Sequence, residues 1–409
     1  MLPCPLDLIE YRPMKNLPLV RIPPSIFLQL RKGSPWVFRD SLPDYESIRN
    51  LLPEGGWVRI SASKNPGGLA LFDPDNAIAL RIFDSSHEEI PVKPFLHYKI
   101  SSAISIRSPI DRSITNGMRL IHGENDFLPG LVADIYDRLL VFRPDTAVWI
   151  PFLPVVTEYL SREVAFDASC LIYSGQSGWL EGEAVLPTEF LENSLRFMVD
   201  PSVGQKTGFF LDMRPNRKII QQFSGGKNIL NCFSYTGAFS VYARSGGAME
   251  TTNVDISSGA IEAAKENHRI NGYADEKTGY VAQDAFEYLE TIPEISVKKV
   301  RTLQGPFDMI ILDPPAFAHS KEKIESGIAS YRKLNQTALA RLGSGQYLAT
   351  ASCSSRISAE QFLGAVSEAA SETGRKLRLV YSHGAGEDHP VALNSGIMPY
   401  LKFYLFMVS

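Results

Sequence analysis

From about residue 226 onward the chain repeats one unit, an apolar strand followed by a polar loop and a helix, and this repeat restricts the fold more than any other feature. Predicted strands cover residues 228–233, 250–254, 280–282, 307–312, 347–352, 376–381 and 401–408. Strands that alternate with helices build a parallel sheet that is covered on both faces. The sequence therefore predicts an α/β, Rossmann-like domain in the second half of the chain.

Two helices in this half have recognisable starts. Ser257 can cap a helix that runs to Asn271, and Ser358, with Glu360 close behind it, can cap another. A serine at this position accepts a hydrogen bond from a backbone amide of the first helical turn. A shorter helix is predicted over residues 238–244.

The first half of the chain has a different pattern. Residues 17–84 contain short β-segments separated by turn sequences such as Gly55-Gly56, which predicts a small β-barrel. The region that follows mixes extended segments, at 139–142 and 184–185, with a helix at 151–160. We predict three domains: a β-barrel domain over residues 17–88, a central α+β domain over 89–195 and the α/β domain over 196–409.

Bulk properties exclude several classes of protein. The 409-residue chain has no apolar run long enough for a membrane helix, and its N-terminus lacks the basic start and apolar centre of a signal peptide. Its four cysteines are scattered without a CxxC pair, which favours neither disulfides nor a zinc site. We therefore expect a cytoplasmic protein with no membrane association and no metal.

Charge is unevenly distributed along the chain. The net charge of −4 argues weakly against a nucleic-acid partner. Residues 11–39, however, contain no acid and six basic residues, Arg12, Lys15, Arg21, Arg31, Lys32 and Arg39. Such a run can attract phosphate groups even on an acidic protein. Two interpretations stay open at this point, a nucleic-acid-binding patch and a solvated basic surface.

Short loop sequences that contain polar residues follow four predicted strands at the point where each strand ends. They are, in chain order, Ser234, Tyr235, Thr236 and Gly237; then Asp255, Ile256 and Ser257; then Asp284 and Ala285; then Asp313 and Pro314. In an open α/β sheet, ligands bind beyond the carboxyl ends of the strands. A nucleotide-like cofactor explains the pattern, with Asp255 accepting the ribose hydroxyls and Asp284 the adenine amine. Taken singly, each of these two residues can instead be a helix cap.

The loop after the first predicted strand distinguishes between cofactors. A dinucleotide site needs a GxGxxG sequence so that a pyrophosphate can lie on a helix N-terminus. Residues 231–237 contain one glycine and a tyrosine, whereas S-adenosylmethionine has no phosphate and tolerates such a loop. The residues expected to bind S-adenosylmethionine are Lys206, Phe210, Asn231, Phe233, Ser234, Tyr235, Thr236, Gly237, Asp255, Ile256, Ser257, Asp284, Ala285, Asp313 and Pro314. Lys206 and Phe210 belong to residues 204–214, which we interpret either as a lid or as a linker.

Two side chains are candidates for catalysis. Asp313 can hydrogen-bond the edge of a flipped base while Phe317, four residues later, stacks on it. Cys353 follows the fifth predicted strand, which the expected strand order places beside the fourth. A thiolate there can add to C6 of a pyrimidine and make C5 nucleophilic. The alternative is that Cys353 is a small buried residue, as we expect for Cys232.

These motifs together resemble the bacterial large-subunit rRNA cytosine-C5 methyltransferases that carry an N-terminal PUA domain. The matching stretches span nearly the whole chain and lie at residues 31–38, 123–131, 204–217, 231–237, 254–257, 313–318, 352–354 and 388–390. The resemblance implies a PUA-like barrel, a small central domain and a class I methyltransferase domain. It implies a cytosine of 23S rRNA as the substrate, in naked rRNA or in a subunit particle, and is compatible with a homodimer.

Three departures from that family bear on the target base. Residues 395–399 lack the Glu that usually comes shortly before Tyr400-Leu401-Lys402. Met213 stands where the family has Gln. Ala316 stands near the place of a second cysteine in the two-cysteine RNA methyltransferases. The alternative activity is methylation at a guanine nitrogen, with Cys353 uninvolved. A non-enzymatic alternative is an RNA-binding assembly factor that retains a vestigial pocket.

Overall fold

The computed structural model describes residues 17–62, 65–84, 92–204, 206–274, 276–295, 306–397 and 399–409. The chain divides into two units. The first comprises Met1–Thr188, Val199–Phe209 and Glu387–Ile397, and the second comprises Glu189–Met198, Phe210–Gly386 and Met398–Ser409. The predicted domain boundaries at residues 88 and 195 stay predictions. Within the described ranges, no helix is long and apolar enough to cross a membrane.

The N-terminal part of the first unit is a five-stranded sheet, as its β-rich pattern predicts. Its strands are β1 (Leu19–Arg21), β2 (Trp36–Phe38), β3 (Gly56–Ala62), β4 (Asn65–Phe72) and β5 (Ile78–Asp84). They lie in the order β1-β3-β4-β5-β2, with β1 parallel to β3. Two helices that the sequence reasoning misses, α1 (Pro24–Arg31) and α2 (Tyr45–Leu51), connect the strands. Proline in the first turn of α1 is favourable because that backbone nitrogen needs no helical partner.

The central part of the first unit combines a second sheet with two helices. Its elements are α3 (Val92–Ile106), β6 (Gly117–His122), β7 (Val132–Tyr136), β8 (Leu139–Phe142), α4 (Leu153–Glu163), β9 (Ala168–Tyr173) and β10 (Gln176–Glu181). The strands lie in the order β10-β9-β8-β7-β6. Leu96 of α3 and Leu160 of α4 share one hydrophobic core with Leu140 of β8. The α+β character predicted for this region is thus observed.

Two sequence predictions in this region have different outcomes. The helix predicted at 151–160 is confirmed as α4, which follows a 3-10 turn over Ala147–Phe152. The extended segment predicted at 184–185 is wrong, because these residues lie in a connection outside the strands. Val185 is 88% exposed, so it has no sheet face against which its apolar side chain could pack.

The second unit contains the predicted parallel sheet. Its strands are β13 (Asn228–Cys232), β14 (Glu250–Asp255), β15 (Thr278–Ala282), β16 (Met309–Leu312), β17 (Tyr347–Ser352), β18 (Leu377–His383) and β19 (Lys402–Val408). They lie in the order β15-β14-β13-β16-β17-β19-β18, and β19 runs antiparallel between β17 and β18. The predicted strands and the adjacency of the fourth and fifth are confirmed. A hairpin of β11 (Thr188–Glu192) and β12 (Leu195–Val199) precedes the sheet in the chain.

Helices cover both faces of this sheet. They are α5 (Arg214–Phe223), α6 (Ala238–Ser245), α7 (Ser258–Ile270), α8 (Ala285–Thr291), α9 (Ile324–Leu339) and α10 (Ala359–Glu372). Successive side chains of a strand point to opposite faces. Accordingly, Leu230 and Ile310 pack in a cluster with Leu334 of α9, whereas Ile229 packs in another cluster with Ile220 of α5. In an open sheet of this kind, ligands bind beyond the carboxyl ends of the parallel strands.

The predicted helix caps are confirmed. Ser257 Oγ accepts a hydrogen bond from Ala260 N at 3.2 Å at the start of α7. At the start of α10, Ser358 Oγ accepts from Gln361 N at 3.1 Å and Gln361 Oε1 accepts from Ser358 N at 2.9 Å. The reciprocal partner is therefore Gln361 rather than Glu360, because a capping box joins the cap to the third helical residue.

Candidate active site

The loop after β13 carries the first group of predicted cofactor residues. Phe233, Tyr235 and Gly237 all have positive φ angles, of 57°, 46° and 74°. Ser234 Oγ and Thr236 Oγ1 are buried and have no hydrogen-bond partner in the part of the chain that the structure describes. Buried hydroxyls normally have partners, so these two are suited to a bound ligand.

Gly237 is required by packing as well as by its backbone angle. A Cβ at this position would lie 2.9 Å from Ala264 Cβ and 3.1 Å from His268 Cε1, and both residues belong to α7. The sequence predicts a glycine here because a ligand approaches the backbone closely. The structure adds a second reason, because any side chain here would collide with α7.

Asp255 is the last residue of β14, and its carboxylate is hydrogen-bonded both to the loop after β13 and to the start of α7. Its Oδ2 accepts a hydrogen bond from Tyr235 N and its Oδ1 accepts one from Ser257 N, each at 2.9 Å. A carboxylate oxygen can accept more than one bond, so both oxygens can also receive ligand hydroxyls. The neighbouring Ile256 is 74% exposed and leaves apolar surface beside the carboxylate.

Asp284 is the N-cap of α8, which is the alternative that the sequence left open. Its Oδ1 accepts hydrogen bonds from Phe286 N at 2.8 Å and Glu287 N at 3.2 Å. Both bonds use the same oxygen, so Oδ2 can accept a bond from a ligand amine. Capping and cofactor binding are therefore compatible at this residue. Ala285 is the buried first residue of α8.

Three other residues predicted to bind the cofactor have different surroundings. Asn231 is fully buried in β13, and its Nδ2 donates to Ser240 Oγ of α6 at 3.1 Å. The ring of Phe210 lies edge-on to that of Tyr235, with 5.2 Å between the ring centroids. Phe210 is therefore beside the loop after β13. Lys206 belongs to the first unit, and its role in cofactor binding stays a prediction.

The ends of β16 and β17 carry the two predicted catalytic residues, Asp313 and Cys353. Leu312 of β16 pairs with Thr350 of β17, so the loops that follow these strands start side by side. Cys353 Sγ donates to the carbonyl oxygen of Pro314 at a sulfur–oxygen distance of 3.7 Å. The thiol therefore lies against the Asp-Pro-Pro loop, and both candidate side chains are half-buried.

Aromatic side chains support this loop. The ring centroid of Phe317 lies 4.7 Å from that of Tyr331 on α9 and 6.1 Å from that of Phe286 on α8. Tyr331 Oη lies 3.1 Å from Ser354 Oγ. Burial raises the pKa of Tyr331, although hydrogen bonds with Ser352 and Ser354 lower it. Tyr331 is thus a protonated phenol at neutral pH, and sequence reasoning misses it because α9 carries no motif.

A lysine on β19 completes this part of the site. Lys402 pairs with Ser352 in the antiparallel register of β19 and β17. Its Nζ donates to the carbonyl oxygens of Ser354 at 2.6 Å and Ile357 at 2.7 Å, so it fixes the turn that follows Cys353. Burial lowers the pKa of Lys402 to about 8, while the charge of a Cys353 thiolate raises it.

The buried ammonium group of Lys402 lowers the stability of the folded state. Its pKa of about 8 lies below the value of about 10.4 in an unfolded chain, so the folded state binds this proton less tightly. The free energy of unfolding consequently rises with pH between these two values. A buried charge with a shifted pKa beside a candidate nucleophile is typical of a functional site. The sequence held one signal, since Lys402 is the charged residue of the otherwise apolar 401–408 segment.

Residues 210–217 are anchored in the second unit. Tyr400 Oη donates to Asp212 Oδ2 at 2.5 Å. Arg217 makes two hydrogen bonds to the Glu192 carboxylate, at 2.7 and 2.6 Å, and its Nη1 donates to the carbonyl oxygen of Phe210 at 3.0 Å. Because Arg217, Glu192 and Asp212 are buried, a solvated linker over residues 210–217 is excluded.

The other described cysteines differ from Cys353. Cys232 is fully buried in β13, and burial raises the pKa of its thiol. Burial raises the pKa of Cys170 to about 12. A thiol that stays protonated is a poor nucleophile. Among the described cysteines, the half-buried Cys353 is therefore the best candidate, and Cys4 lies outside the described residues.

Two family models match the chain. The model for S-adenosylmethionine-dependent methyltransferase matches residues 168–379, and the model for a PUA-like domain matches residues 20–85. Together with the parallel sheet and the carboxylates at its strand ends, these matches define an S-adenosylmethionine-dependent methyltransferase with an N-terminal PUA-like domain. The predicted cofactor is confirmed.

Comparison with curated relatives identifies the family within this class of methyltransferases. Ribosomal RNA large subunit methyltransferase of Deinococcus radiodurans is 34% identical over 396 residues, covering 90% of this chain and 93% of that protein. Ribosomal RNA large subunit methyltransferase I of Alteromonas mediterranea is 31% identical over 391 residues, covering 91% and 94%. The chain belongs to this family of ribosomal RNA large subunit methyltransferases.

Solved structures agree with the fold. A SAM-dependent methyltransferase from Streptococcus mutans superposes with a TM-score of 0.76 at 21% identity, covering 96% of this chain and 100% of that one. A methyltransferase structure complexed with SAH gives a TM-score of 0.78 at 21% identity, with the same coverage. The predicted fold class is confirmed, and the predicted homodimer stays a prediction.

Proposed function

We propose that this protein forms 5-methylcytosine in 23S rRNA, with Cys353 as the nucleophile. The position of Cys353 carries the proposal, because its Sγ lies 3.7 Å from Pro314 O and Lys402 holds the turn after it. The names of the curated relatives support a large-subunit rRNA substrate. A cytoplasmic location belongs to the same proposal, since bacterial ribosomes are assembled in the cytoplasm.

The second unit offers suitable partners for the cofactor. S-adenosylmethionine supplies an electrophilic methyl group when it is bound. The buried hydroxyls of Ser234 and Thr236 and the carboxylate of Asp255 are polar groups able to hold it, and Ile256 offers an apolar surface for the adenine. Asp284 Oδ2 can accept the adenine amine while Oδ1 caps α8. The other residues predicted to bind the cofactor stay predictions.

We propose that Asp313 and Phe317 hold the target base. A cytosine must leave its stack to reach a catalytic thiol, and enzymes read such a base through its polar edge and an aromatic neighbour. The Asp313 carboxylate can accept a hydrogen bond from the cytosine amine, or from N3 once that nitrogen is protonated. Phe317 is fixed against Tyr331 and can stack on the base.

The thiolate of Cys353 activates the base by covalent addition. Sγ bonds to C6, the C5–C6 double bond opens, and C5 becomes enamine-like and nucleophilic. Once C5 carries the methyl group, a base removes the C5 proton, the electron pair re-forms the C5–C6 double bond, and the Sγ–C6 bond breaks. The result is a methyl group in place of the C5 hydrogen and a regenerated thiolate.

The experiment that tests this function combines product mapping with covalent trapping. We expect the purified protein to methylate 23S rRNA at a cytosine C5, and to form a denaturation-resistant complex with 5-fluorocytidine RNA, because fluorine cannot leave C5 as a proton does. Methylation at a guanine nitrogen without trapping would support the alternative enzyme. Absence of methyl transfer together with retained RNA binding would support the assembly factor.

We expect Asp255→Ala to weaken S-adenosylmethionine binding by about 1–3 kcal/mol, the usual effect of losing a hydrogen bond to a charged group. Isothermal titration measures the change. Asp308→Ala is the matched control, because Asp308 Oδ2 accepts from Asn228 N at the opposite end of the same sheet. Equal affinity in the wild type and Asp255→Ala would refute the assignment.

The basic segment of the PUA-like domain is the first candidate for RNA docking. Arg21, Arg31, Lys32 and Arg39 are exposed, whereas Arg12 and Lys15 lie outside the described residues. We expect the double variant Arg31→Gln/Lys32→Gln to reduce the slope of log affinity against log salt by roughly 1.5, since each lost phosphate contact removes about 0.7–0.9.

Filter binding of a 23S rRNA fragment at several salt concentrations measures that slope. Lys265→Gln is the control, because Lys265 is an exposed lysine of the second unit that is paired with Glu262 at 2.7 Å. If the double variant and the control have the same slope as the wild type, this segment is the solvated surface that the charge pattern also allowed.

A further inference from the structure

Two exposed aromatic rings flank a lysine in the central part of the first unit. Tyr98 is 67% exposed and Phe127 is 55% exposed. Lys99 Nζ lies 4.9 Å from the ring centroid of Phe127 and 5.9 Å from that of Tyr98. We call these three residues the Phe127 surface. Neither ring belongs to the hydrophobic core of this part, so packing does not explain them.

Phe127 has an unfavourable backbone conformation. It ends the 3-10 turn Gly123–Asp126 with φ 57° and ψ 31°, which is the left-handed region. Bulky residues rarely adopt this conformation because of steric conflict at Cβ. Burial of an aromatic ring could offset such strain, but this ring is mostly exposed. A strained conformation at an exposed aromatic ring is found at residues that bind a ligand.

The turn that displays Phe127 is rigid. Both oxygens of the buried Asp126 accept hydrogen bonds from Arg107 at 2.7 Å, and Asp126 Oδ2 accepts another from His122 N at 2.6 Å. On the other side, Leu128 is fully buried. Phe127 therefore lies between two fixed neighbours, and a rigid aromatic side chain loses little conformational entropy on binding.

The charged group that lies against both rings is the ammonium of Lys99. The sequence of α3 contains Lys93 and Lys99 but no acidic residue. The nearby acids of the turn are engaged, since Glu124 accepts from Trp36 Nε1 at 2.9 Å and Asp126 pairs with an arginine. Aromatic rings with an interposed cation are suited to unpaired nucleotides, whose bases stack on the rings and whose phosphates are attracted to the cation.

We propose that the Phe127 surface stacks unpaired nucleotides of the RNA substrate and so forms an RNA-binding site additional to the basic segment of the PUA-like domain. This inference rests on the proposed RNA function. It predicts a preference for single strands, because bases in a duplex are already stacked and cannot lie on a protein ring.

The test compares one labelled RNA of about 12 nucleotides, as a single strand and as a duplex, on the full-length protein. We expect Tyr98→Ala/Phe127→Ala to lose about 10-fold in affinity for the single strand, from the loss of base stacking. Duplex affinity and S-adenosylmethionine affinity should stay unchanged. Leu51→Ala is the control, because Leu51 is a 65% exposed apolar residue on α2, outside the Phe127 surface.

Phe127→Gly separates a binding role from a structural one. Glycine adopts the left-handed conformation without strain, so we expect the midpoint of thermal unfolding to rise by about 2 °C while single-strand affinity falls. A structural role for the ring predicts the opposite change in the midpoint. Unchanged single-strand affinity in both variants would overturn the proposal. A wild type that binds no RNA would overturn this proposal and the proposed function together.

Discussion

We expect Cys353→Ala to abolish methyl transfer, with a loss of at least about 10³-fold in kcat, because removing a covalent nucleophile removes the reaction path itself. Affinities for S-adenosylmethionine and for RNA should stay unchanged, since the Sγ–C6 bond forms only along that path. The measurement is the transfer of labelled methyl groups to 23S rRNA, combined with titration of each ligand separately.

Two controls isolate the effect of this thiol. Cys170→Ala removes a buried cysteine of the first unit whose pKa is raised to about 12, and it should keep normal activity. Trapping with 5-fluorocytidine RNA should disappear in Cys353→Ala and persist in Cys170→Ala. If Cys353→Ala methylates at nearly the wild-type rate, the covalent mechanism is wrong and methylation at a guanine nitrogen becomes the better interpretation.

The second half of the fold could be predicted because its signals are local. The apolar runs of β13, β16 and β17 are bounded by polar loops, and Ser257 and Ser358 mark helix starts by residue type alone. The helices α1 and α2 cannot be predicted in this way, because each has eight residues or fewer and gives a weak periodic pattern. Their stability comes from tertiary packing, through buried residues such as Leu30 and Ile48.

The candidate site could be predicted only in part, for a similar reason. Asp255, Asp313 and Cys353 stand at strand ends, so knowing the strand order is enough to place them near one edge of the sheet. Tyr331 and Lys402 reach the site from α9 and β19. Their positions depend on a long-range arrangement, above all the antiparallel insertion of β19 between β17 and β18, which no local pattern reveals.

The second large effect is expected at Lys402. At neutral pH its ammonium is mostly protonated, because its pKa is about 8, and it is close enough to interact with the charge of a Cys353 thiolate. A nearby positive charge favours the ionised form of a thiol. We therefore expect Lys402→Met to lower the rate of methyl transfer at pH 7 by roughly 10- to 100-fold, because a smaller fraction of the thiol is ionised.

The pH dependence separates this electrostatic role from a structural one. Without the lysine charge the thiol still ionises at higher pH, so the activity of Lys402→Met should recover toward the wild-type value as the pH is raised from 7 to about 9. Lys402→Arg retains a positive charge above pH 8 and should keep most of the activity at both pH values. Iodoacetamide labelling of Cys353, followed by mass spectrometry across the same range, gives the thiol pKa directly and without any RNA. If the lysine served only to hold the turn through Ser354 O and Ile357 O, the loss in Lys402→Met would be the same at every pH and the labelling profile would not move.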